Sequence, residues 1–264
     1  MATSNSRAQR QVPWMLAAAF LAFSAGITVA DDMHKTFADR AESELRRAQA
    51  EFSSKTNDPV AAWQFARACF DRADFAANDS QRAALATKGI DVCRAVLARD
   101  PKVAAAHYYL AMNLGQLART KTLGALKLVK EMEVEFKAAI DLNDHLDFAG
   151  PTRSLGMLYR DAPGWPTSIG SKRKARSYIE QAVKIAPNFP ENHMVLIESC
   201  LKWRDTDGAQ KELEALDALW PDAQKSFTGE MWERDWADWT ERRDAARKKL
   251  SDNSGPITSP RTGR

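Results

Sequence analysis

Apolar side chains along this chain recur at spacings of three and four, the pattern of helices with one buried face. The first such stripe is Met33, Phe37, Ala41, Leu45, Ala48 and Phe52. Asn57-Asp58-Pro59 interrupts it: Asp58 suits an N-cap and Pro59 the first helical position. A second helix, to about residue 77, is expected to bury Trp63, Ala66, Phe70 and Ala73. After the capping turn Asn78-Asp79-Ser80 a third helix runs to Arg99. From Pro101 the pattern restarts and predicts helices over 104–119, 123–142, 146–160, 171–186, 192–203, 206–219 and 226–250. No segment alternates apolar and polar residues with β-branched enrichment, so no sheet is predicted.

The stripes also repeat on a longer scale. Ala175, Ile179, Ala182 and Pro187 are separated by 4, 3 and 5 residues, and Ala209, Leu213, Leu216 and Pro221 reproduce those intervals 34 residues later. That period is the length of a helix–turn–helix repeat. One such hairpin cannot bury its apolar face alone and must stack on a neighbour. The expected fold is therefore all-α, a superhelix of stacked antiparallel helix pairs. It holds about four repeats over 58–221, an N-terminal helix over 31–57 and a C-terminal capping helix over 222–250. Between two helices, residues 161–170 place two glycines and two prolines around Trp165, which marks an ordered, irregular connection. Loops of this length are often functional, but a large aromatic is normally buried, so Trp165 is expected to plug a gap between helices.

Both termini fall outside this pattern. Arg7 and Arg10 precede an apolar run over 14–25, and Thr28-Val29-Ala30 supplies small residues before Asp31-Asp32. This reads as a signal peptide over 1–30 cleaved after Ala30, and the run is short for a spanning anchor. The protein is then periplasmic or secreted, with no transmembrane helix after cleavage. The tail over 251–264 has little to bury and reads as disordered.

Net charge is +3, and near +1 without Arg7 and Arg10. Such a chain has no broad field for nucleic acid, and none is expected as a partner. Lys172-Arg173-Lys174 opens a helix and reads as a solvated face. Cys69, Cys93 and Cys200 contain no CxxC pair. Cys69 and Cys93 could bridge neighbouring helices, but all three also read as small buried side chains.

The repeat positions resemble the tetratricopeptide repeat. Leu155, Gly156 and Tyr159 match its first helix, and Ala175, Ile179, Ala182 and Pro187 its second. His107, Leu110, Ala111 and Leu114 take the corresponding places after Pro101, and His193, Leu196, Ile197 and Cys200 take them after Pro187. His107 and His193 stand where tryptophan is usual, and Ile197 replaces the small glycine. The leader, the divergent repeats and the segment from Leu155 into Lys174-Ala175 are also similar to the TRAP transporter T-component family. That resemblance implies a periplasmic partner of a solute-binding protein, able to form a homo-oligomer, with no catalytic residues.

No motif carries chemistry. The histidines His34, His107, His145 and His193 form no HExxH, and neither GxxxxGK[ST] nor GxSxG occurs. His107 and His193 read as seam residues with polar partners, Glu133/Glu135 and Asp144/Asp147 as solvated pairs, and no metal or cofactor is expected. In this repeat class the first helices line a concave surface, and fixed offsets from the His107-type position select its residues. They are Tyr108, Met112, Gly115 and Gln116, then Arg153, Met157, Arg160 and Asp161, then Met194, Glu198, Leu201 and Lys202. Methionine suits permissive surfaces and fills core gaps equally well, and the flanking basic residues suit an anionic group. Trp232, Trp236 and Trp239 share one face of the last helix, as a cap or a partner surface. The sequence points to an exported, non-catalytic scaffold binding a protein, peptide or amphiphilic ligand on its concave face, with an apolar ligand as a further candidate partner. The alternatives are a T-component-like accessory and a hydrolase whose site is assembled from distant residues.

Overall fold

The computed structural model describes residues 27–121 and 123–253. Ten α-helices follow one another among them: α1 (Ile27–Ser54), α2 (Pro59–Asp74), α3 (Asp79–Leu97), α4 (Ala104–Arg119), α5 (Ala125–Leu142), α6 (Gly150–Asp161), α7 (Lys172–Ile185), α8 (Pro190–Lys202), α9 (Thr206–Ser226) and α10 (Glu233–Asn253). A single 3-10 turn, Glu230–Trp232, precedes α10. Sequential helices pack as antiparallel pairs, so α2/α3, α4/α5, α6/α7 and α8/α9 form four stacked hairpins, with α1 before them and α10 after. No strand occurs among the described residues, only a bridge between Gly164 and Gly170. Most of the expected leader and the tail beyond residue 253 lie outside the described residues; α1 begins upstream of the expected cleavage point. No described helix is long and apolar enough to cross a membrane.

Local chemistry starts the helices where the sequence indicates. The side chains of Asp58, Asn78, Ser171 and Asp205 each accept from a first-turn backbone N–H. The repeated quartets then close the hairpins: Ala175, Ile179 and Ala182, and Ala209, Leu213 and Leu216, are all buried. Gly156 shows how tight the seam is. A Cβ there would lie 2.6 Å from Ile179 Cγ1 and 3.3 Å from the Ala175 carbonyl oxygen, so α6 and α7 meet where only glycine fits.

His107 and His193 are joints of the same construction. Nδ1 of His107 meets Glu135 on α5 at 2.5 Å, and Nε2 meets the Pro101 carbonyl at 2.9 Å. His193 repeats this with Glu212 on α9 at 2.6 Å and the Pro187 carbonyl at 2.7 Å. Each imidazole ties the first helix of a hairpin to the second and to the preceding loop. Glu135 is thus a structural partner, not a solvated carboxylate, and Glu133 likewise accepts from Tyr159 and Lys137. Asp147 accepts from Tyr108.

Three expectations are corrected. Residues 143–149 form a connection with positive φ at Asp147, Phe148 and Ala149, and α6 starts at Gly150. Pro221 does not end its helix: α9 continues to Ser226 because Trp220, Ala223 and Phe227 are buried around it, which offsets the lost backbone bond. The final helix starts not at 226 but at Glu233, after Gly229 at φ 92 and the 3-10 turn. The three cysteines are free and buried, with the Cys69 thiol pushed by burial up to about 12.

The His107 joint sets a pH dependence. The hydrogen bond to Glu135 raises its pKa above the ordinary imidazole value, against the opposing effect of burial. A raised folded-state pKa stabilises fully below the unfolded value and is lost as pH rises through the folded value. The stability gap between the protein and its His107→Gln variant is therefore expected to be about 1.5–3 kcal/mol at pH 5.5 and to shrink by pH 9, as read from urea melts across that range.

Candidate functional site

By its repeat pattern the sequence assigns the concave side to the first helices of the hairpins, of which α2 packs on α4 and α6 on α8. The positions selected on that side are largely engaged within the protein. Tyr108 is 2% exposed and donates to Asp147 at 3.0 Å. Gln116, also buried, donates to Asp74 at 2.7 Å and accepts from Arg119. Met112 is half-buried, with the Ser154 hydroxyl 3.7 Å from its sulfur. Arg153 is buried, bonded to Asn192 at 2.8 Å and lying over the Phe189 ring. Arg160 bonds Ser199 and Asp161, and Lys202 reaches the same Asp161 at 2.6 Å. Met157 and Leu201 are half-buried against the C-terminal core, and Met194 is wholly buried in it. Met194 thus fills the core, while Met112 and Met157 keep part of their surface: side chains of neighbouring hairpins meet here, as Met112 and Ser154 do, and α10 packs on α8.

α10 lies along one side of α8. Trp239 Nε1 donates to Glu191 at 2.9 Å, and Arg242 bonds Glu191 at 2.8 Å, Glu198 at 2.7 Å and Asp238 at 2.6 Å. Burial works against the Arg242 charge, but those carboxylates together raise its pKa. The three tryptophans turn inward, as a cap requires. Trp236 packs edge-on against Trp220 at 5.1 Å and Trp239 at 5.0 Å, and Trp232 against Phe227 at 4.9 Å. Phe148 and Phe189, from loops on the other side of the cluster, stack at 4.5 Å.

The start of α10 also reaches the opposite end of the chain. Arg40 on α1 pairs with Glu233 at 2.6 Å and Glu230 at 3.0 Å, while Arg234 pairs with Asp74 at 3.2 Å and lies over Phe75. Near this closure α2 presents Arg67 and Asp71, 3.6 Å apart, with side chains 50% and 38% exposed. Solvent reaches Asp71 from one side, yet desolvation by the surrounding walls pushes its pKa up to about 6, aided by Asp74 and Asp147 and opposed by Arg67 and Arg234. Asp235 on α10 is raised to about 6 for the same first reason.

Arg67, Asp71, Glu191, Arg234 and Arg242 were not singled out by the sequence. A signal for two of them existed: Ala62, counted from the helix start, stands where His107 stands in α4, and the same offsets then select Trp63, Arg67, Phe70 and Asp71. The loose fit of this first hairpin to the repeat pattern hid it. No group of three His, Cys, Asp or Glu side chains among the described residues is placed to hold a metal ion.

Comparisons with known proteins agree with this geometry. The profile of the family described as Regulator of microtubule dynamics protein 1-3 matches residues 27–149, from α1 to the α5–α6 connection. A crystal structure of a thermophilic TPR protein from Thermus thermophilus superposes with a TM-score of 0.58 at 17% identity, covering 85% of this chain and 96% of that one. The crystal structure of MamA aligns over 67% of this chain and 87% of its own at 16% identity, with a TM-score of 0.47. A comparison with curated protein sequences finds no match. The fold is tetratricopeptide-like.

Two outcomes test the electrostatics. Arg242→Met leaves Glu191 and Glu198 uncompensated and is expected to cost about 3 kcal/mol in a urea melt. Asp71, with a folded pKa above its unfolded value, contributes stability below about pH 4 that is lost as pH rises through about 6. Asp71→Asn is therefore expected to melt about 2–4 °C higher than the parent at pH 7.5 and no higher at pH 4, by calorimetry.

Proposed function

We propose that this protein is an exported, non-catalytic helical-repeat scaffold that binds an amphipathic helix of a protein partner on its concave side. One observation carries the reading: the last hairpin already packs against an amphipathic helix, α10, which lies on α8 and α9. α10 seats Trp239 and Arg242 against Glu191 and Glu198, so an apolar face bordered by arginine is what this hairpin accepts. Arg67 and Asp71, partly exposed on α2, would make polar contacts to a partner segment that continues beyond α10. Export rests on the N-terminal run after Arg7 and Arg10.

The family match supports a second reading, in which the partner belongs to the microtubule system that the family's name describes. The leader and divergent repeats support a third, an accessory of a periplasmic solute-binding protein.

Partner capture by the immobilised full chain separates these readings. Arg242→Met, which loosens α10, is expected to increase recovery of the partner, and Met157→Glu to abolish it. Co-sedimentation with polymerised tubulin and binding of a purified solute-binding protein identify which partner is meant. Recovery indifferent to both substitutions would remove the concave side from the reading.

A further inference from the structure

Stacking antiparallel hairpins puts every connection from a first helix to its second on one edge of the molecule. The α4–α5 and α6–α7 connections are therefore neighbours there, and each ends in an apolar side chain held out in solvent. Leu123 and Trp165 are both 89% exposed. The expected gap-filling role of Trp165 is thus corrected: it fills nothing. Its loop is nonetheless fixed. Gly170 N donates to the Pro163 carbonyl at 2.9 Å, Thr167 N to that of Gly164 at 3.0 Å, and Ser168 is buried beneath.

Unpaired positive charge gathers on the same edge. Lys121, Lys127, Arg173 and Arg204 stand on or beside these loops, all exposed, and none has a carboxylate partner among the described residues. Asp161 and Asp205 nearby are already neutralised by Arg160, Lys202 and Arg176, which leaves Asp207 as an exposed carboxylate beside them. The opposite edge mixes both signs, with exposed Lys102 and Lys184 beside Asp100 and Asp141.

We infer that the edge formed by these loops docks on an anionic membrane surface, with Trp165 and Leu123 inserted at the level of the headgroups. Tryptophan favours that layer because its ring is apolar and its N–H polar. Each lysine or arginine near an anionic leaflet adds attraction. A plane, unlike a pocket on a protein, meets tips from successive hairpins at once, and these tips lie in a row.

The test places an environment-sensitive fluorophore on the full chain. The three native cysteines are buried, so a Thr167→Cys or Asn188→Cys substitution supplies the reactive thiol, the latter on the opposite edge. With vesicles of phosphatidylcholine and phosphatidylglycerol mixed two to one, the label at 167 is expected to shift to the blue, and the label at 188 is not. Pure phosphatidylcholine is expected to shift neither. In the labelled chain, Trp165→Ala is expected to remove the shift, and Arg173→Glu to weaken partitioning about fivefold or more, the ratio for one basic charge near the surface. Absence of a shift at 167 overturns the inference, as do equal shifts at both positions, which would place the contact elsewhere, for example in the N-terminal run. A shift with poly-glutamate but not with vesicles would replace the membrane by an acidic protein. Met157 and Arg173 report on different faces, so helix capture and membrane docking can fail independently.

Discussion

Everything in this molecule depends on two helices approaching until their backbones nearly touch. At the α6–α7 seam the space left beside Ile179 is smaller than a methyl group, and Gly156 fills it with nothing. Ala175, Ala182 and Ala209 keep the same closeness elsewhere, with no exposed surface left on any of them. Packing at this distance gives dispersion contacts but strands polar backbone, since connecting loops are pressed against helix ends. The imidazoles of His107 and His193 answer that problem by serving a loop carbonyl and a carboxylate together. Asn192 does the same between hairpins, donating to the Ala182, Ala186 and Phe148 carbonyls while accepting from Arg153.

That close stacking also decides what the concave side can be. On α4 and α6 the inner positions become packing residues, as Tyr108 and Arg153 show. On α2, itself packed closely on α4, charged groups stay in contact with water and feel the surrounding walls, as Asp71 shows. α10 packs on α8 and gives the last hairpin an occupant with a recognisable chemistry. The outer edge is a different kind of surface, in which loops project, and Lys121, Lys127, Arg173 and Arg204 on it have no carboxylate partner among the described residues.

The fold could be read from the sequence because the signal is local. Ala175, Ile179 and Ala182, and the same set 34 residues later, Ala209, Leu213 and Leu216, each lie in one helix, and their burial is dictated by the pitch of that helix. The offset rule used for α4, α6 and α8 selects Arg67 and Asp71 when it is applied to α2. Whether those positions are open could not be read, because the covering contacts join residues 44 to 51 positions apart in α8 and α10. Pro221 misled because its local cost is outweighed by tertiary packing around Trp220. Trp165 misled because the burial expected of an aromatic is an average over folds, and the bonds of its loop hold this ring outward.

Helical-repeat arrays ordinarily behave as one-dimensional systems, in which each unit feels only its immediate neighbours and the ends fray first. The pairs Arg40–Glu233 and Arg234–Asp74 break that rule by joining residues 193 and 160 positions apart. They tie α1 and the end of α2 directly to the start of α10, so a displacement of α10 removes contacts of the first helices as well as of its neighbours.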